Sequence, residues 1–552
     1  MKKLKITFFV TLVFTLFFSM FNSVSASQIS EGAVANLLLV PLDDRPANTY
    51  FPTQVGKAAG INVFTPPEEI IGYFNTPGDT EAVAKWILEH ADKADGFAIS
   101  TSMLAYGGLI ASRTGDKPID EAMATIQVIK KLKEMYPEKK VYIFDTIQRL
   151  AVTVTSEESR DYYDLIREWA ILYDKVHNLG FEEDRARLEE LEESIPEEVL
   201  QDYLAARARN HEINKLLIDW VNEGYIDYLV LAQDDASQYG LHRAERDILV
   251  GKINGQDLND KVTVFPGADE VGLVLVSRFV TDVYREHPNV YVEYGGIHGS
   301  EWIAPLEDIP FSENVEKHIV ASGGKMAINE FEADIHLILN TPSANQNERE
   351  LDIRIMVERI GGLVSDQEQV AIGDVLLVNK ADEAFVKTLS NQVDLTRILS
   401  YSGWNTAGNA LGITVGHAIS RDAFLSQQSG FGVPYYKKTA KAHYEFLLHR
   451  FAKDQGYKNV VQPAANQYVA QIGANQWDLG ESYDEVNGFV QEHLTRETEA
   501  WYHNYFAGKK VYVGSRGNKD FYATIGHLVN VHVQLPWPRT FEAELEPELE
   551  LQ

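Results

Sequence analysis

Over roughly the first 400 residues, short apolar runs alternate with longer stretches whose apolar positions recur every three or four residues. The runs at 36–42 (NLLLVPL), 96–102 (GFAISTS), 140–146 (KVYIFDT), 228–233 (YLVLAQ) and 262–267 (VTVFPG) predict strands. So do those at 290–295 (VYVEYG), 335–341 (IHLILNT), 371–379 (AIGDVLLVN) and 398–403 (ILSYSG). Most are near-continuous rather than alternating, the pattern of strands covered on both faces. The stretches between them predict helices, for example 79–91 and 119–135. Strand–helix alternation of this kind gives an α/β fold: a mainly parallel sheet with flanking helices, barrel-like or doubly wound. Strand order does not follow from the pattern, so both arrangements stay open.

Two segments depart from the theme. Residues 155–222 are densely charged and helical in pattern, which predicts a helical excursion inside a main domain of 27–421. From 422 to 552 the chain predicts a C-terminal helical region, with helices over 437–454 and 483–506, and a β tail packed on the main domain. In that tail Phe541, Ala543, Leu545, Leu549 and Leu551 alternate with glutamates, the period of a half-buried strand.

The first 26 residues read differently again. Lys2, Lys3 and Lys5 precede an apolar run from Ile6 to Met20, and Val24 and Ala26 place small residues before a cut. This is the pattern of a secretory signal peptide and predicts an exported, extracellular protein; an uncleaved anchor is the alternative. At 45% hydrophobic and 11% aromatic the chain is globular, and 552 residues exceed what one core usually serves. A formal charge of −31 argues against nucleic acid, or an anionic membrane after signal cleavage, as partner. The absence of cysteine excludes a disulfide framework and a thiol nucleophile.

Chemistry enters where the strands stop. LVLAQDDASQYG (229–240) and LLLVPLDDRPAN (37–48) both run from apolar residues into paired aspartates. In parallel α/β folds the loops at the carboxyl ends of the strands converge to make the site. Those ends supply Asp43, Asp44, Arg45 and Asn48, then Asp145 and Arg149, then Asp234, Asp235 and Tyr239. Further along come Asp269, Glu270, His298, Trp404, Asn405 and Asn409. Each also admits a plainer role, as helix cap, turn residue or ion-pair partner of Arg45 or Arg149. Together, so many carboxylates at one end of a sheet repel unless protonated, paired with arginine or bound to a cation.

In SGWNTAGNALG (402–412) the glycines permit close packing, Asn405 and Thr406 suit a helix N-cap, and Trp404 beside two asparagines suits a sugar ring. Tight helix packing explains the same glycines without a ligand. No G-x-G-x-x-G or P-loop, no G-x-S-x-G elbow and no H-E-x-x-H motif is present.

PLDDRPAN, QDDASQYG, PGADEVG, SGWNTAGNALG and the closing QLPWPRTFEAEL together resemble the bacterial family of domain of unknown function 4127. The resemblance implies one long α/β unit with these motifs at its characteristic positions, and carries no reaction with it. From the residues, the reading that leads is a secreted hydrolase acting on a glycan, with Asp235 and either Asp44 or Glu270 as acid and base. A divalent-cation-dependent hydrolase of an ester, amide or phosphoester is the alternative, with His298 widening the choice of metal. A non-catalytic glycan- or cell-surface-binding protein is the third.

Overall fold

The computed structural model describes residues 32–153, 157–427 and 431–552. The expected signal peptide, 1–26, lies outside the described residues, as do 155 and 156 of the expected helical excursion.

The first parallel sheet holds β1 (Ala35–Val40), β2 (Ile61–Phe64), β3 (Gly96–Ser100), β4 (Lys140–Ile147), β5 (Tyr228–Gln233) and β6 (Val262–Pro266). Their order is β2-β1-β3-β4-β5-β6, every neighbouring pair parallel. The continuous apolar run of β1 has a direct cause: its two faces enter different cores. Leu37 and Leu39 pack with Val274 and Phe144 on one side, while Leu38 and Val40 pack with Ile87, Leu104 and Ile129 on the other. All four are fully buried, and each such side chain contributes about 1.5–3 kcal/mol relative to exposure.

The second sheet holds β7 (Asn289–Tyr294), β8 (Lys325–Met326), β9 (Ile335–Leu339), β10 (Val370–Gly373) and β11 (Ser400–Ser402), in the order β8-β7-β9-β10-β11, again all parallel. Both sheets are thus doubly wound: the chain goes out one way from the first strand, then returns and continues on its other side. The crevices where the direction reverses lie between β1 and β3 and between β7 and β9, beyond the strands' carboxyl ends. Two open sheets therefore replace the single sheet that the strand pattern suggested, and neither closes into a barrel. Two short edge strands, β2 and β8, join the expected set. The run at 371–379 stops as a strand at Gly373, because Asp374 accepts hydrogen bonds from Asn340 and from the backbone of Asp382 and draws the chain into a turn.

One long helix couples the two sheets. Ala407–Gln427 is buried from Ala407 to Phe424 and packs on the helix Val271–Tyr284 that follows β6. Glycine sets the distance. A Cβ at Gly412 would lie 2.3 Å from Cγ of Glu270, and one at Gly408 2.4 Å from the carbonyl oxygen of Pro266, so neither position admits a side chain.

Between β4 and β5 run the helices Glu157–Tyr173, Arg185–Ser194 and Glu197–Asn222, with a small core of their own around Trp169, Leu188 and Tyr203. Beyond the second sheet come the helices Val433–Phe451, Gln462–Gln471 and Tyr483–Trp501 and an antiparallel sheet of β12 (Lys510–Arg516), β13 (Lys519–Gln534) and β14 (Glu544–Leu551). In β14, Leu545, Pro547 and Leu549 are buried and the glutamates between them face outward, as the period of two predicts. Among the described residues no helix is long and apolar enough to cross a membrane.

Candidate functional site

A cavity of about 490 Å³ opens where the carboxyl ends of both sheets meet. The first sheet contributes Arg45 after β1, Arg113 after β3, Arg149 after β4, Asp234 and Asp235 after β5, and Asp269 after β6. The second contributes Leu306 after β7, Asn379 after β10, and Asn405, Thr406 and Asn409 after β11. Arg160, Tyr163 and Asp164 reach in from the helix Glu157–Tyr173, and Trp477, Trp537, Arg539 and Phe541 close the wall from the C-terminal region. Hydrogen bonds tie the two halves at this point: the backbone N–H of Ala236 donates to the carbonyl of Leu306 at 2.8 Å, and that of Asp269 to Oδ1 of Asn409 at 3.1 Å.

Backbone strain gathers here. Eight non-glycine residues among those described have positive φ, and four of them, Asp235 (38°), Leu306 (66°), Asn379 (65°) and Asn405 (67°), line the cavity. Such conformations cost on the order of 1–3 kcal/mol each and persist only where surrounding contacts enforce them.

Most of the acids are neutralised by arginine. Arg45 donates from Nη2 to Asp43 at 2.6 Å and to Asp269 at 2.5 Å, and from Nη1 to Asp269 at 3.1 Å. Burial disfavours its charge, but Asp269 and Asp43 outweigh this and hold it well above the usual arginine value. Asn405 adds a bond to Asp269 at 2.8 Å, and Asn48 one to Asp43 at 2.8 Å. Arg113 grips Asp234 through Nε at 3.0 Å and Nη2 at 2.5 Å. Asp235 is held more loosely, by one bond from Arg149 Nη1 at 3.2 Å, and its side chain keeps 28% of its exposure. Burial and the neighbouring charge of Asp234 push its carboxyl above the usual aspartate value.

Of the residues expected from sequence, Arg45, Arg149, Asp234, Asp235, Asp269, Asn405 and Asn409 line this cavity. Asp43 and Asn48 stand just behind Arg45. The remainder point elsewhere. Asp44 lies across Trp537 in a separate narrow crevice, where the indole N–H donates to both its oxygens at 3.0 and 2.9 Å. Burial and Asp43 raise its carboxyl to about 7. Glu270 turns inward, accepting from the backbone of Ala268 at 2.9 Å and meeting His318 at 3.1 Å. Asp145 is buried beneath the site with Ser102 and Asn214, and burial raises its carboxyl to about 7. Tyr239 packs edge-on against Phe181, and His298 sits on an exposed loop 3.8 Å from Glu301. Trp404 is fully buried against Phe51 and Lys453, so it offers no plate to a ligand. The expected pairing of Asp235 with Asp44 or Glu270 across one pocket is therefore not formed. Adjacent acids need not share a direction: Asp234 and Asp235 both reach the cavity, Asp269 does and Glu270 does not, and Asp43 and Asp44 part to Arg45 and Trp537.

No ligand set for the divalent-cation alternative exists among the described residues, where no three His, Asp or Glu side chains are placed to hold a metal ion.

A family model described as a protein of unknown function (DUF4127) matches residues 37–546. The chain belongs to this family. No curated protein matches it. Solved structures similar to it include GanP, a glucose-galactose binding protein from Geobacillus stearothermophilus, at 9% identity, covering 73% of this chain and 94% of that one with a TM-score of 0.15. Another is the first ketoreductase of the tylosin PKS, at 9% identity, 71% and 76% coverage and a TM-score of 0.15. At that TM-score neither bears on function.

The DUF4127 match takes in wall residues that sequence reasoning passed over: Arg113, Arg160, Tyr163, Asp164, Asn379, Trp477, Trp537, Arg539 and Phe541. A signal for three of them was in view. QLPWPRTFEAEL contains Trp537, Arg539 and Phe541, two aromatic rings and an arginine within five residues.

Proposed function

We propose that this protein is an exported hydrolase acting on a glycan, with Asp235 as the proton donor. The observation that carries the reading is the contrast among the cavity aspartates. Asp234 and Asp269 are each gripped at two points by a guanidinium, which occupies their oxygens, although burial raises the Asp269 carboxyl to about 6. Asp235 has one longer bond, a raised pKa and access to the cavity. A carboxyl with raised proton affinity, loosely held and open to the cavity, is the usual form of a general acid.

Asp164 supplies the second group. It lines the cavity from the helix Glu157–Tyr173, is exposed, and has no ion-pair partner among the described residues. In this reading Asp235 gives its proton to the leaving glycosidic oxygen, and Asp164 takes one from the water that adds to the sugar carbon. Trp477, 44% exposed at the rim, takes the ring-stacking role expected of Trp404, and the asparagines offer partners to hydroxyls.

The test is turnover of a glycan panel by wild type and Asp235→Asn. A fall of about 10²–10⁴ in kcat with binding retained supports the assignment; undiminished hydrolysis removes it. Retained affinity with no turnover by the wild type on any glycan favours a binding protein instead.

A further inference from the structure

The cavity reverses the charge of the chain that builds it. Acids outnumber bases 81 to 50 overall, yet the wall carries five arginines against four aspartates. Three of those arginines are committed: Arg45 to Asp43 and Asp269, Arg113 to Asp234, and Arg149 to Asp235 and to the carbonyls of Ala151 and Val152. Arg539 is not. Its guanidinium lies over the rings of Trp537 at 4.6 Å and Phe541 at 5.2 Å, with no carboxylate within ion-pair distance among the described residues, and its buried Nε has no hydrogen-bond partner. Burial and the charge of Arg45 push it down to about 10. A guanidinium held between aromatic rings, facing a cavity and short of an anion, has its fork fixed before a ligand arrives. Nearby, the buried Oδ1 of Asn379 on the same wall also lacks a donor.

We infer that the ligand of this cavity is a sugar bearing an anionic group, a carboxylate, sulfate or phosphate, received by Arg539, with a hydroxyl donating to Asn379. The inference rests on the glycan reading above and narrows it to acidic sugars. The neutralised aspartates fit it: clamped by arginine, Asp234 and Asp269 present little free negative charge to repel the ligand.

Tryptophan fluorescence titrations with glucuronate, glucose 6-sulfate, glucose 6-phosphate and glucose test it, because Trp477 and Trp537 line the cavity. In wild type at least one anionic probe is expected to bind about tenfold or more tighter than glucose, and the best of the three identifies the group. In Arg539→Gln, with its fold checked by circular dichroism, that preference is expected to fall to within about threefold. Equal binding of glucose and all three anions by wild type, or binding of none, overturns the inference, as does an intact preference in folded Arg539→Gln. If that variant does not fold, the wild-type series decides alone. Turnover by Asp235→Asn is a separate readout: hydrolysis surviving there removes the acid assignment and leaves the anion preference standing, while a wild type that cleaves neutral glycans without preferring anions does the reverse.

Discussion

Arg45 and Asp269, 224 residues apart in the chain, meet at 2.5 Å between the carboxyl ends of β1 and β6, the latter at the sheet's edge. The contact spans the mouth of the first sheet, and Asp43 fills the other side of the same guanidinium. All three side chains are more than nine-tenths buried. Removing a member of such a group strands a charge away from water. Arg45→Met is therefore expected to destabilise the fold by about 3–5 kcal/mol, read from urea unfolding. A loss below about 1 kcal/mol, the range of exposed pairs, means that water reaches these carboxylates.

Asp235 makes a different prediction because its proton is the functional quantity. Its folded-state pKa is raised by burial and by Asp234, so the competent, protonated form is lost as pH rises through that value. The rate is expected to fall on the alkaline side, with the midpoint above the ordinary aspartate range. Removing the neighbouring charge in Asp234→Asn takes away one cause of the elevation, and the midpoint is expected to move to lower pH. A pH–rate profile unmoved by that change assigns the ionisation to another group.

Glu270 separates position in sequence from position in space. It follows Asp269 directly, yet its oxygens meet the backbone of Ala268 and the ring of His318, away from the cavity. Glu270→Gln is expected to cost about 1–3 kcal/mol of stability through these buried bonds and to change kcat by less than about threefold. A hundredfold loss of kcat in a folded variant returns Glu270 to the chemistry.

That contrast also marks how far the sequence could be read. Apolar runs such as Leu37–Val40 announce buried strands, because both faces must be covered, and the acids that end them mark the functional edge. Arg45, Asp235, Asp269 and Asn405 were legible for that reason. Side-chain direction was not: Asp43 and Asp44 are chemically alike, and the local turn alone decides that one meets Arg45 and the other Trp537. The division into two sheets was hidden because strand pairing is long-range. Edge strands β2 and β8 were hidden by their length, four and two residues. The motif that holds Arg539 and Trp537 was legible, but its place in the wall was not, since it arrives from the last twentieth of the chain through long-range packing.

Glu307 links the cavity to the stability of the junction behind it. It is 3% exposed and accepts from the backbone of Gly408 at 2.6 Å and from Asn314 at 2.9 Å. Burial, the first of its causes, raises its carboxyl to about 8 from an ordinary 4.5. Between those values the folded state holds a proton that the unfolded state releases, so this group's contribution to stability is complete below about pH 4.5 and is lost as pH rises toward 8. Glu307→Gln imitates the protonated form. Turning the Asn314 amide would present its Oδ1, which lacks a donor, to the new amide N–H. Thermal melts at pH 5 and pH 8 should show wild type losing stability over this interval and the variant losing less. The two should diverge by up to about 1.4 kcal/mol for each pH unit crossed. Parallel curves for the two proteins show that Glu307 keeps an ordinary titration, and that the helix starting at Ala407 is held without its proton.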